Sequence, residues 1–427
     1  MQRKHLFPLT SNLSPLTFNF LVLLAFFASP AQADRLSRLS EEAWEAYRSE
    51  YKGWQLDSLS HAPRFVWHLP DSLEPNADMH FYYGSKGDRP AAGYPFFLYT
   101  HGSGPKEDEW RVGLQLCQIF DDAPSAYAIP RIPNEGDWYR WWQRSKQWAW
   151  ERLLRQELAS GDIDPTRIYV FGISEGGYGS QRLASYYADY LAAAGPMAGG
   201  EPLRNAPVEN LAHVAYSMIT GEKDVMFFRN MMTQHVSQQL DSIATLYPGE
   251  YKHRVIIQEG RGHGVDYRPT TPWLAQHTRT AQPTHYRWEN MEMDGRKRNA
   301  FYNLEVLKES DEAYRTYYDY ATDATTNTID LTVEVVAYET TWKDPYWNIP
   351  FLFRRILTAA PHGHLRIYLS STLADLSRPV TVRVNGKEVY RGRPSMKTAH
   401  VRTAMAQSLV LWGDPLRIFP TWVEVEW

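Results

Sequence analysis

Three side chains that together can activate a nucleophile occur in the order serine, acid, histidine. Asp224 lies 50 residues after Ser174, and His263 lies 39 residues after Asp224. A serine hydroxyl becomes reactive when a histidine accepts its proton and a carboxylate orients that histidine. Each of the three follows a predicted strand, so they are expected on loops at one edge of a parallel sheet. Their types and order predict covalent attack on a carbonyl group.

The residues around Ser174 read Gly-Ile-Ser-Glu-Gly-Gly and connect an apolar strand to a predicted helix. A serine held at such a junction needs a sharp turn, and Gly172 and Gly176 supply positions without side chains in the G-x-S-x-G pattern of a nucleophile elbow. The turn places the amide of Glu175 at the helix N-terminus, where it can stabilise an oxyanion. The Glu175 carboxylate either caps the helix or binds a cationic group. The alternative is a glycine-rich turn with an incidental serine.

Other acids and other roles are open for the remaining two residues. Glu222 is the rival of Asp224 as the orienting acid, and Asp266 is a third candidate. Asp224 could instead cap the following helix, and His263 could be an ordinary surface histidine. The glycines at 260, 262 and 264 would allow the histidine loop to bend toward the serine.

A second oxyanion donor is expected from the loop after an earlier strand. The strand at residues 95–100 is followed by His101-Gly-Ser-Gly. Amides at Gly102 or Ser103 can face a carbonyl oxygen, although the segment could also be a simple turn. His101 precedes the serine, which is the wrong order for the base, so it is predicted to be a structural loop histidine.

The stretch at residues 128–150, AIPRIPNEGDWYRWWQRSKQWAW, follows another strand and opens toward the same edge. Arg131, Asn134 and Trp138 are candidates to line a substrate pocket, where an indole can stack on a sugar or an aromatic ring. The alternative is a helix that begins near Trp138 and uses its tryptophans to pack on the sheet. That packing role is preferred for Trp148 and Trp150.

Strands alternate with helices through most of the chain, which predicts an α/β fold with a mostly parallel sheet covered on both faces. After about residue 283 short strands follow one another with little helical patterning, and Asn385-Gly386 between two alternating runs predicts a β-hairpin. We expect a signal peptide at 1–33, a catalytic domain at 34–283 and a β-sandwich-like accessory domain at 284–427.

The N-terminal segment has the features of a secretory signal. Arg3 and Lys4 precede an apolar run that is short for a membrane span, and Ala31-Gln32-Ala33 offers a cleavage position before Asp34. We expect a secreted bacterial protein, periplasmic or extracellular, without stable membrane insertion after the signal is removed. An uncleaved anchor is the alternative.

Composition excludes several partners. The formal net charge is −4 and no long basic block occurs, so nucleic acid is not an expected partner. Cys117 is the only cysteine, which rules out an intrachain disulfide and a multi-cysteine metal site. His362 and His364 have no third ligand in view and are interpreted as loop residues. The predicted chemistry requires no metal and no organic cofactor.

Taken together, these motifs resemble those of the α/β-hydrolase superfamily over about residues 60–280. The string from Gly172 to Tyr178 is similar to the elbows of prolyl-oligopeptidase-like peptidases and of polyhydroxybutyrate-depolymerase-like and feruloyl esterases. Only about 60 residues separate the expected mature start from the first core strand, so we do not expect the long N-terminal propeller of the large oligopeptidases. The resemblance implies a serine hydrolase acting on a small ester, a glycan-linked ester or a peptide. A carboxylesterase, with decorated polysaccharide as one candidate substrate, is the first hypothesis, a serine peptidase the second, and a catalytically silent binding protein the third.

Overall fold

The computed structural model describes residues 30–51 and 56–427. Residues 1–29 of the predicted signal peptide lie outside the described residues. Helix α1 (Pro30–Arg48) runs across the predicted cleavage position. Among the helices of the described part, none is both long and apolar enough to cross a membrane.

Eight strands form the central sheet in the order β1-β2-β4-β3-β5-β6-β7-β8. β2 runs antiparallel to β1 and β4, and the remaining neighbours are parallel. The predicted alternation of strands with helices and the mostly parallel sheet are confirmed, and the central sheet has eight strands. They are β1 (Phe65–His68), β2 (Asp78–Lys86), β3 (Tyr94–Thr100), β4 (Ser125–Pro130), β5 (Ile163–Ile173), β6 (Ala193–Met197), β7 (Ala215–Gly221) and β8 (His253–Gln258).

Both faces of this sheet are buried, as a parallel sheet requires. Along β3, Phe96 and Leu98 belong to one hydrophobic cluster, whereas Phe97 and Tyr99 belong to a second cluster on the opposite face. The alternation follows from the two-residue period of a strand. Helices cover the two faces: α2 (Lys106–Ile119), α3 (Arg144–Ser160), α4 (Glu175–Tyr186), α5 (Arg229–Leu246) and α6 (Thr270–Leu274).

The helix predicted from Trp138 begins only at Arg144. Residues 136–138 form a single 3₁₀ turn, and the next residues are held by tertiary hydrogen bonds instead. The Tyr139 hydroxyl donates to the Gly102 carbonyl (2.7 Å), and Trp141 Nε1 donates to the His101 carbonyl (2.9 Å). These bonds anchor the segment to the loop after β3 and override its helical pattern.

Two further sheets follow the central one. The first contains β9 (His285–Glu289), β12 (Arg315–Asp323), β13 (Thr328–Lys343), β14 (Pro350–Ala359), β16 (Val380–Val384) and β17 (Lys387–Gly392). The second contains β10 (Ala300–Phe301), β11 (Leu304–Lys308), β15 (His364–Leu369) and β18 (Thr421–Glu426). The predicted hairpin at Asn385-Gly386 is confirmed as the turn between β16 and β17, with φ of 49° and 79° at its two central residues.

The expectation that this part is nearly free of helix was wrong. Helix α7 (Thr398–Trp412) buries residues three and four positions apart, among them Val401, Met405 and Leu409. Met405 and Val401 pack with Leu39 of α1 in a small cluster. The helix forms because one of its faces has an apolar neighbour to cover it.

A chain of buried charges joins the central sheet to the C-terminal sheets. Asp189, in the turn after α4, pairs with Arg298 and Arg417, and Asp414 pairs with Arg417 (2.7 Å) and Arg279 (2.8 Å). All five side chains are at least nine-tenths buried. Burial alone raises the pKa of Asp189, but Arg298 and Arg417 bring it below its ordinary value. Both carboxylates are therefore charged and paired.

A buried carboxyl on α3 makes folding depend on pH. Burial raises the pKa of Glu157 from 4.5 to about 8, while the Tyr83 hydroxyl donates to its Oε2 (3.1 Å). The folded state therefore binds one more proton than the unfolded state between these two values, so stability falls as pH rises through that window. We expect Glu157→Gln to remove this loss and to stabilise the protein at pH 8 by up to ~4 kcal/mol. Urea denaturation of the wild type and of Glu157→Gln from pH 5 to 8 measures the effect. If the free energy of unfolding changed with pH by the same amount in both proteins, the prediction would be contradicted.

Candidate active site

The turn between β5 and α4 presents Ser174 with an unusual backbone. Its φ is 56° and its ψ −114°, a conformation that residues other than glycine seldom adopt. A Cβ at Gly176 would lie 1.9 Å from the Thr100 carbonyl oxygen, and one at Gly172 would lie 2.2 Å from Thr100 Oγ1. The two glycines are therefore required by the close approach of β3 to the turn. The structure thus has the elbow geometry that the sequence predicted.

Ser174, His263 and Asp224 form a continuous hydrogen-bonded chain. His263 Nε2 lies 3.0 Å from Ser174 Oγ, and His263 Nδ1 lies 2.7 Å from Asp224 Oδ2. Asp224 is buried, whereas the His263 side chain is 46% exposed. This arrangement can move a proton from the serine to the histidine while a fixed carboxylate stabilises the resulting cation.

Arg229, at the start of α5, holds the second oxygen of the acid. Its Nη1 lies 3.1 Å from Asp224 Oδ1, so both oxygens of this carboxylate have a donor. A guanidinium can only donate, which fixes the carboxylate in one orientation. Arg229 was not predicted from the sequence; its one signal there is its place in the first turn of the helix that follows a strand-end acid.

The two rival acids lie outside the chain of hydrogen bonds. Glu222 Oε2 accepts a hydrogen bond from the amide of Gly260 (2.8 Å) and so helps to hold the loop that carries His263. The carboxylate of Asp266 binds Arg268, which holds its pKa at about 2. The Asp266 backbone is clamped by the side chain of Gln258, at the end of β8. These bonds position the loop that carries the histidine.

The loop after β3 lies directly against Ser174. A Cβ at Gly102 would lie 3.4 Å from Ser174 Cβ and 2.9 Å from a carboxylate oxygen of Glu109, so this position admits glycine alone without a shift. The Tyr139 hydroxyl lies within 3.0 Å of the Gly102 and Gly104 carbonyl oxygens. Holding these carbonyls fixes the peptide planes of the loop. Gly102 is buried and Ser103 is exposed.

His101 is buried and neutral. Its Nε2 accepts a hydrogen bond from the amide of Ile132 (3.1 Å), so the proton resides on Nδ1, which donates to the Gly102 carbonyl (2.8 Å). Burial lowers the pKa of His101 to about 4. The ring joins the loops after β3 and β4 and has the surroundings of a structural histidine.

The carboxylate of Glu175 lies beside the elbow. Burial raises its pKa to about 7, which Arg140, at 3.5 Å, partly opposes. Its Oε1 is buried and makes no hydrogen bond within the described part of the chain. The carboxyl therefore changes charge near neutral pH, and it belongs to the same residue whose amide was predicted to stabilise an oxyanion.

The residues proposed to bind substrate have other contacts. Arg131 pairs with Glu107 and lies over the ring of Trp110. The Asn134 amide donates to Glu74 Oε1 (3.1 Å), and Trp138 lies under the ammonium of Lys146. Their segment does reach the site, but through Tyr139 and Arg140, which were not predicted from the sequence. Nothing in the residue pattern separates Tyr139 from the aromatic residues around it.

The sheet order, the single antiparallel inner strand β2, the elbow after β5 and the two loops after β7 and β8 together define an α/β-hydrolase fold. Within the described residues no cluster of three histidine, cysteine or acidic side chains could hold a metal ion. We call Ser174, His263 and Asp224 the candidate triad.

Comparison with known proteins gives weak similarities only. No family model and no curated protein matches the chain. Solved structures that are similar include a thermostable esterase, with 20% identity over 51% of this chain and 63% of that chain and a TM-score of 0.38. An acetyl xylan esterase from Paenibacillus sp. R4 has 12% identity over 57% and 94%, with a TM-score of 0.35. A dipeptidyl aminopeptidase IV-like protein from Bacteroides ovatus has 13% identity over 50% and 34%, with a TM-score of 0.34.

Proposed function

We propose that the protein is a secreted serine hydrolase that cleaves carboxylic esters through an acyl-enzyme. The observation that carries this proposal is the hydrogen-bonded chain from Ser174 through His263 to Asp224, at the elbow of an α/β-hydrolase sheet. A bare G-x-S-x-G sequence is common, but a serine held at positive φ within 3.0 Å of a histidine that is itself bound to a buried acid is the arrangement that activates a hydroxyl.

In the proposed reaction His263 Nε2 takes the proton of Ser174 as its Oγ attacks the ester carbonyl. The amides of Glu175 and of the Gly102–Ser103 loop stabilise the oxyanion that forms. The carbon–oxygen bond to the alcohol then breaks, and His263 returns the proton to the departing alcohol. Water, activated by the same histidine, hydrolyses the acyl-enzyme and restores the serine.

Labelling with a fluorophosphonate probe tests the proposal. The full chain is expected to gain one adduct, which mass mapping places on Ser174, and Ser174→Ala is expected to gain none. Paired acetyl esters and peptide amides then separate an esterase from a peptidase. A folded wild-type chain that takes no label would contradict the proposal and favour a silent binding protein. N-terminal sequencing of the exported chain, with Asp34 expected first, tests secretion.

Loss of the Tyr139 hydroxyl is expected to loosen the loop after β3, which is proposed to supply an oxyanion donor. In Tyr139→Phe the Gly102 and Gly104 carbonyls lose their shared donor. We expect kcat to fall about tenfold with KM little changed, because the loop acts when charge develops on the substrate oxygen. Steady-state kinetics on an acetyl ester measure this. Tyr94→Phe is the matched control, since that hydroxyl binds the Gly87 carbonyl at the opposite end of β3; equal losses in both variants would refute the prediction.

A further inference from the structure

Exposed aromatic rings lie next to the loop that carries Asp224. The tip between β13 and β14, residues 344–349, presents Tyr346 and Trp347 with 82% and 57% of their surfaces exposed. The ring of Trp347 lies 5.9 Å from that of Phe227, which is 45% exposed. We call Phe227, Tyr346 and Trp347 the aromatic shelf. Exposed apolar groups that cluster in this way on a folded protein mark binding surfaces.

The tip that carries two of the rings is built to be rigid. The side chain of Asp344 is buried and accepts three backbone hydrogen bonds, from the amides of Tyr346 (3.0 Å), Trp347 (2.7 Å) and Ile349 (2.7 Å). A carboxylate that binds three amides holds the loop in one conformation without packing the aromatic rings against the body. The rings therefore stay exposed at little further cost in conformational entropy on binding.

The shelf has a fixed position relative to the triad. Phe228 packs against Trp342 and Phe351 at ring distances of 5.2 and 5.3 Å, which ties the hairpin to the start of α5. The guanidinium of Arg229 lies 5.2 Å from the ring of Phe227 and 3.1 Å from Asp224 Oδ1. The same arginine thus contacts both the shelf and the acid of the triad.

The openness of the shelf indicates what it binds. A fatty acyl chain is apolar on all sides and needs an enclosing pocket. A sugar ring has an apolar C–H face and a rim of hydroxyls, so it can lie on an exposed indole or phenol while its hydroxyls stay in water. We propose that the aromatic shelf binds a pyranose ring of a glycan whose ester is presented to Ser174. This inference rests on the proposed function and gives the hairpin β13–β14 a role in substrate selection.

Direct binding tests the shelf apart from catalysis. In the full chain carrying Ser174→Ala, titration calorimetry measures binding of cellotetraose and xylotetraose, each with and without O-acetyl groups. Adding Trp347→Ala is expected to weaken binding about tenfold, which corresponds to ~1.4 kcal/mol. Tyr346→Ala provides a second variant. Tyr314→Ala removes an exposed tyrosine that lies in the segment before β12, and it is expected to bind like the parent. Melting temperatures check that all variants are folded.

Three outcomes would overturn the inference. The first is that the parent binds none of the four oligosaccharides. The second is that Trp347→Ala and Tyr346→Ala bind as tightly as Tyr314→Ala. The third is that the shelf variants instead lose binding to phosphatidylcholine vesicles, which would assign the surface to a membrane. Fluorophosphonate labelling of the wild-type chain reports separately on the proposed function: labelling without glycan binding rejects only the shelf, and glycan binding without labelling rejects only the esterase.

Discussion

Replacing Asp224 with asparagine is expected to lower kcat/KM for an ester about 10⁴-fold in a protein that remains folded. The reason lies in the two partners of the carboxylate. Arg229 can only donate, so the asparagine oxygen would turn toward Arg229 and its amide NH₂ toward His263 Nδ1. The ring would then carry its proton on Nε2, the atom that must accept the proton of Ser174.

Steady-state kinetics of Asp224→Asn and of Asp266→Asn measure this effect. Asp266 is a matched control because, within the described part of the chain, its carboxylate binds only the exposed Arg268. We expect the activity of Asp266→Asn to lie within about twofold of wild type. Adding Arg229→Met to Asp224→Asn frees the amide to turn its oxygen to the histidine, so part of the activity should return. Equal losses in the two single variants would show that the acid has been misassigned.

Replacing Asp189 with asparagine is expected to cost about 3–5 kcal/mol of folding free energy. The change removes the negative charge that Arg298 and Arg417 share, so positive charge is left uncompensated in a buried site. Asp189 lies in the turn after α4, a helix of the central α/β part, and both arginines belong to the segments around the C-terminal sheets. We therefore propose that residues 34–283 and 284–427 unfold together, as one cooperative unit.

Urea denaturation gives the free energy, and hydrogen exchange of amides in β5 and β12 shows whether the two parts open together. Glu42→Gln is the control, because its partner Arg402 lies 3.0 Å away on the surface and both side chains are exposed. We expect that change to cost less than about 1 kcal/mol. Lower protection in β12 with β5 unchanged would contradict a single unit.

Much of the central sheet could be predicted because parallel strands are continuous apolar runs between helices. The elbow could be predicted because a Cβ at position 172 or 176 would collide with Thr100. This steric requirement fixes glycine at both positions, and the two glycines are visible in the sequence. In the C-terminal part, the buried positions of α7 are three and four residues apart, as expected for a helix. The helix was not predicted because short strand-like runs surround it in the sequence. Strand β14 (PFLFRRILTA) has no regular alternation, because its far end is largely exposed on both faces.

The site could be predicted only as far as local sequence determines it. Ser174, Asp224 and His263 each follow a strand, so their meeting follows from the topology. Arg229 contacts Asp224 and Tyr139 contacts Gly102, and the residues next to Arg229 and Tyr139 in the sequence give no indication of these contacts. The same limit applies to Arg131 and Asn134, whose partners Glu107 and Glu74 precede them by 24 and 60 residues.

The backbone of Ser174 also bears on how this chain would change under selection. A residue other than glycine at φ of 56° and ψ of −114° is strained by about 1–3 kcal/mol, and glycine would relieve that strain. Ser174→Gly would therefore yield a more stable protein without the hydroxyl that the proposed function assigns to the attack. Under that function, selection for stability alone favours glycine at this position, and selection for activity opposes it.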